Sequence, residues 1–165
     1  MKFDFSRVVL GAYLLANALS LGAIALCILI ESSILDLDAI FRMNSYTETL
    51  ITRYDQGLIM SVIWSKLYYI FFISAIVIFA YETLSFRFKR SSFFIWILNV
   101  LNSILMMLFC LFYLPGIAKI FDNEPKVAAT PESESLLNQS ELVLQLLCFT
   151  LLLTFFIRLL LLGRR

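Results

Sequence analysis

Charged residues vanish from this chain and return in four long cycles. After Lys2, Asp4 and Arg7, no charge occurs from Val8 to Ile30. A helix rising 1.5 Å per residue makes that run about 35 Å long, enough to cross a hydrocarbon core of roughly 30 Å. The spacing predicts a first membrane helix over residues 8–30. Ala16-Asn17-Ala18 looks like the small-residue cleavage site of a signal peptide, but the apolar run continues well past it, so the helix reads as uncleaved. A second run is centred on Leu67 to Tyr81 and has to borrow Leu58 to Ser65 to be long enough, which places helix two over 58–81 with Lys66 inside it. The third covers 92–114 and is expected to close at Pro115-Gly116, where Pro lacks a donor and Gly permits a turn. The fourth covers 142–162 and stops at Gly163-Arg164-Arg165. In lipid every backbone N–H and C=O needs a partner within the segment. None of the runs alternates like a barrel strand, so all four are expected to be α-helices.

Two connections are longer than a bare turn requires. Ser45-Tyr46-Thr47-Glu48 matches a capping box, in which the Ser hydroxyl and Glu carboxylate satisfy free N–H groups at a helix start. Apolar Leu50, Ile51, Tyr54, Leu58 and Val62 follow on one helical face, so helix two is expected to begin well before its span and to bend near Gly57. Thr130-Pro131-Glu132 reads as an N-cap followed by Pro at the first helical position, which starts helix four about ten residues ahead of its span. No internal repeat or second domain is evident. The expected architecture is all-α: an integral membrane four-helix bundle, up-down, formed by residues 1–165 as one polytopic domain with helical extensions on the outer side.

Composition removes the alternatives. Hydrophobic residues make up 61% of the 165 and charged residues 15%, against about 45–50% and 25% in soluble domains, and the mean hydropathy is +0.91. A water-soluble core is the wrong description. A net charge of +1 gives no basic face for nucleic acid. The chain contains no histidine, which removes bis-His haem, His-rich zinc, Ser-His-Asp and Cys-His arrangements together. Neither GxGxxG nor GxxxxGK[ST] occurs, so no nucleotide cofactor is expected. No nucleophile and base are paired at a recognisable spacing, and Glu31, Asp36 and Asp38 read as a solvated face, so no enzymatic activity is expected.

Counting Lys and Arg on alternate sides orients the bundle. Lys2, Arg7, Arg87, Lys89, Arg90, Arg158, Arg164 and Arg165 fall on one side, and Arg42, Arg53, Lys119 and Lys126 on the other. The asymmetry predicts a multi-pass protein of the cell membrane with both termini cytoplasmic. Of the acidic residues only Asp4 and Glu82 fall on that inner side. The basic inner rim suits anionic headgroups.

Candidate chemistry is sparse. Lys66 is the one ionisable residue this reading places deep in a span, where a charge defaults to an ion or substrate site. It also lies within a four-carbon stem's reach of the outer interface, among the belt-type residues Trp64, Tyr68 and Tyr69, which favours snorkelling over a buried functional site. Asn17 and Ser20, then Asn99, Asn102 and Ser103, then Thr150 and Thr154 sit near mid-span at spacings of three or four residues. They are expected on inward faces, either as interhelical glue or as the lining of a polar path. Ala12, Ala16 and Ser20, with Ala18 and Gly22 beside them, offer helix one close backbone approach and mark it as the central packing helix. Cys27, Cys110 and Cys148 fall at similar depth with Met60, Met106 and Met107; without a CxxC or MxxM pair the set reads as packing, so no metal site or cofactor is expected, and binding of a soft metal such as Cu(I) is the alternative.

Tyr13-Leu14-Leu15-Ala16 through Leu21-Gly22, Gly57-Leu58-Ile59-Met60-Ser61 to Lys66-Leu67-Tyr68-Tyr69, and Tyr113-Leu114-Pro115 together resemble the small four-helix membrane family called domain of unknown function 4149, which includes transmembrane-protein-205-like proteins. Where that family commonly carries a proline after helix one, this chain has Glu31-Ser32-Ser33-Ile34. The resemblance implies the four-helix fold and a membrane location, and through copper-resistance-D-like relatives it points to soft-metal handling. It implies no activity. The expected role is a non-enzymatic scaffold or accessory subunit whose partners are the lipid bilayer and other membrane proteins or further copies of the chain. The alternative is a small-molecule or ion transporter component using Lys66 and the Asn99 and Asn102 layer.

Overall fold

The computed structural model describes residues 5–44, 53–89, 91–122 and 131–162. Among these described residues five α-helices and one π-helical turn follow in order: α1 (Phe5–Asn44), α2 (Arg53–Arg87), α3 (Phe93–Leu108), the π turn (Phe109–Tyr113), α4 (Leu114–Asp122) and α5 (Pro131–Leu162). No strand occurs among the described residues. Four stretches are long and apolar enough to cross a membrane, namely Val8–Ile30, Leu58–Arg87, Phe93–Ile120 and Ser135–Leu161. The chain is therefore described as a membrane protein built as an all-α four-helix bundle.

Neighbouring spans run in opposite directions. Tyr13 stacks on Tyr81 while Ser74 donates to the Ala16 carbonyl, so residue numbers rise on α1 as they fall on α2. The same argument relates α2 to α3 through Glu82–Asn99 and Tyr68–Cys110, and the third span to α5 through Asn102–Thr154 and Gly116–Leu136. The sharpest connection joins α2 to α3. Lys89 adopts a left-handed φ of 54°, the N–H groups of Phe88 and Lys89 bond back to Leu84 and Phe86 at 3.0 Å, and Ser92 caps α3 by accepting from Ile95. A stacked patch of Phe86, Phe93 and Trp96 closes the turn.

The helices are longer than the apolar runs alone predicted. α1 does not stop at Ile30 but runs on to Asn44. α2 holds Gly57 inside one helical run, and α5 begins at Pro131 as the sequence indicated. The capping box at Ser45–Glu48 and the Thr130 cap lie outside the described residues. The expected stop at Pro115-Gly116 is a correction. The third span continues through both residues to Asp122 because the π turn precedes them. Within it the Leu114 N–H bonds to the Phe109 carbonyl, five residues back rather than four. That wider register prepares the helix for Pro115, which has no N–H and whose ring would crowd the carbonyl four residues earlier. Gly116 then serves a different purpose from a turn: a Cβ there would meet the Leu136 Cδ2 at 2.9 Å, so α4 and α5 approach closely at this point.

The apolar core lies where the spans meet, around Phe71, Ile78, Met106, Phe109, Leu147 and Leu151. Ala16 and Ser20 of the small-residue stripe are buried there, whereas Ala12, Ala18 and Gly22 face outward. α1 is thus one wall among four, packed against α2 and α5.

Candidate functional site

Two ionisable side chains of opposite type meet inside the bundle near the end that holds the α2–α3 turn. Glu82, on α2, is fully buried, and Arg158, on α5, is nearly so. Arg158 donates to the Glu82 Oε1 through Nη2 and, at 3.0 Å, through Nε. Its Nη2 also donates to the Ser91 hydroxyl at 2.9 Å, and that hydroxyl donates to the Glu82 Oε2 at 2.9 Å. Asn99 of α3 donates to the Glu82 Oε1 at 3.1 Å and to the Ile95 carbonyl. Tyr13 of α1 donates to the Asn99 Oδ1 at 3.2 Å.

Four spans and one turn therefore contribute to a single network. Tyr13 and Tyr81 stack with centroids 4.4 Å apart, and the Arg158 guanidinium carbon sits 5.7 and 5.6 Å from their centroids. Aromatic faces attract a cation most where water is absent. The carboxylate receives donors on both oxygens and the guanidinium spreads its charge over the carboxylate, a hydroxyl and two rings. Such a pair is net neutral and satisfied, which is the condition for a charge to persist in a low-dielectric interior.

A second polar layer lies about one helical turn deeper. Asn102 donates to the Thr154 hydroxyl at 3.3 Å, and Thr154 donates to the carbonyls of Thr150 and Leu151. Asn17 donates to the Tyr13 carbonyl and Ser20 to the Ala16 carbonyl. The Oδ1 atoms of Asn17 and Asn102 are buried and accept nothing among the described residues. α1 and α3 run the same way, so these two oxygens lie at similar depth, one turn beyond the Tyr13–Asn99 contact.

Of the polar residues singled out from sequence, Asn17, Asn99 and Asn102 are fully buried. Lys66 is exposed on the outer surface of α2. Among the described residues the acidic and basic side chains buried in the interior are Glu82 and Arg158, which the charge count had assigned to the membrane edge. The available signal was phase. Met60, Trp64, Leu67, Phe71, Ser74, Ile78, Glu82 and Ser85 are buried on α2, each three or four residues from the last, with Ala75 buried beside Ser74. Glu82 is in step with that face and Lys66 is not. Arg158 continues the α5 face through Leu144, Leu147, Leu151 and Thr154 in the same way.

Cys27 and Cys110 are buried and Cys148 is half-buried. Cys110 donates toward the Tyr68 carbonyl at 3.6 Å. Among the described residues no three His, Cys, Asp or Glu side chains gather as a metal centre would require. Comparison with protein-family models, with curated proteins and with solved structures found no match.

Proposed function

We propose that this chain is a non-enzymatic, multi-pass subunit of the cell membrane, a scaffold or accessory protein that associates with other membrane proteins or with further copies of itself. Both termini face the cytoplasm in this reading, because the Arg87 end carries the excess of Lys and Arg. The observation that supports it best is the closed network at Glu82 and Arg158. The interior charges are consumed in holding α1, α2, α3 and α5 together, and no unpaired charge lines the bundle axis among the described residues. Lys66, the residue a charge-selective path would need, stands on the outer surface.

Purification from native membranes in mild detergent tests this reading. A partner that co-elutes stoichiometrically, or a defined homo-oligomer, is the expected result. A chain that elutes alone and whose Lys66→Met variant loses solute flux with the fold intact would refute it.

One observation favours a transport component as the second reading. The unpartnered Asn17 and Asn102 oxygens give the mid-bundle layer two acceptors with no protein donor among the described residues, as a hydrated or cation-conducting path would. Substituting both by Leu separates the two readings: a path loses flux, whereas a scaffold keeps its partner.

A further inference from the structure

An open apolar groove of about 550 Å³ runs between α2 and α3, lined by Ala75, Phe79 and Ala80 on one wall and Ser103, Met107 and Leu111 on the other. The small side chains of Ala75, Ala80 and Ser103 give it depth. It lies within stretches apolar enough to span a membrane, so the medium that meets it is acyl chain. The α2 wall does not end in apolar residues. From Ala80 the same helical face continues through Thr83 to Arg87, all exposed, and residues 80 and 87 are about 10 Å apart along the axis. Lys89, also exposed, follows in the left-handed turn. Neither cation pairs with a carboxylate among the described residues. Beside them, Phe86, Phe93 and Trp96 form the kind of aromatic patch that settles at the headgroup level.

We propose that the groove, Arg87 and Lys89 form one binding site for an anionic phospholipid, with the phosphate at the two cations and an acyl chain lying along the groove. Apolar contact alone cannot select an occupant in this position, because lipid tails are as apolar as the groove walls. Selectivity has to come from the head, and the groups that terminate the α2 wall are both positive, which favours anionic lipid several-fold for each charge. A partner helix in the groove would answer the apolar walls and leave Arg87 and Lys89 without a counterion.

The test is native mass spectrometry of the full chain in mild detergent, titrated with phosphatidylglycerol or phosphatidylcholine. Phosphatidylglycerol is expected to bind at least about tenfold more tightly. The double variant Arg87→Gln, Lys89→Gln should remove that preference while leaving weak binding of both lipids. Ala80→Phe, or Ala80→Leu should the larger side chain disturb folding, should weaken phosphatidylglycerol binding several-fold with both cations in place. Equal affinity for the two lipids, or a preference that survives loss of both cations, overturns the site. Unchanged binding in the Ala80 variants that keep the native circular dichroism overturns the groove, as does a second copy of the chain displacing the lipid.

Discussion

Removing Arg158 isolates a carboxylate that has no route to water, and Arg158→Met is the sharpest perturbation of this bundle. Methionine keeps the apolar stem and its length but loses every donor. Glu82 then retains only Ser91 at 2.9 Å and Asn99 at 3.1 Å while remaining fully buried. Breaking one side of a buried ion pair costs about 3–5 kcal/mol, which lowers the folded-to-unfolded ratio by roughly two to three and a half orders of magnitude. The double variant Glu82→Gln, Arg158→Met removes both charges, and Gln keeps an acceptor and a donor for Asn99 and Ser91. It should recover at least about 2 kcal/mol of that loss, the signature of residues that act on each other. The assay is a denaturant titration in detergent micelles, followed by helical circular dichroism, on wild type, both single variants and the double. A loss under about 1 kcal/mol for Arg158→Met, or a double variant whose cost equals the sum of the singles, would refute the claim that this pair holds the bundle.

Three smaller expectations accompany it. Tyr13→Phe removes one hydroxyl donor to Asn99 yet preserves the stack on Tyr81, so the same titration should show a loss of about 1 kcal/mol, far short of the Arg158 effect. Lys66→Met alters an exposed side chain with no resolved partner in the network, so bundle stability should stay within about 0.5 kcal/mol of wild type. Gly22→Ala adds a Cβ with nothing within 4 Å and should stabilise by up to about 1 kcal/mol, whereas Gly116→Val drives a branched side chain into Leu136 and should destabilise by about 1–3 kcal/mol.

The four spans and the α5 start at Pro131 were legible because each depends on a local property: run length against bilayer thickness, and a fixed φ that suits a first helical turn. The π turn was not. Pro115-Gly116 is a stop signal when read by itself, and only the shifted bond from Leu114 to Phe109, with Leu136 waiting across the interface, lets the helix continue. The charged pair was missed for a related reason. Glu82 and Arg158 sit near the ends of apolar runs, where depth along the chain says "edge". What decides their fate is the direction in which they leave the helix. That direction becomes visible once Phe71, Ser74 and Ile78 define one side of α2 and Leu147, Leu151 and Thr154 one side of α5. Lys66 illustrates the converse, a charge deep in a run that lies on the exposed side of α2.

The length of α1 carries a consequence of its own. Its 40 residues make a rod of about 60 Å, twice the thickness that the bilayer interior demands. About 20 Å of helical backbone past Ile30 therefore extends beyond the apolar run, on a foot held to its neighbours through Tyr13 and the Ala16 carbonyl. A molecule grasped near Asn44 would be held at a fixed altitude above the membrane, in the manner of a mast rather than a tether.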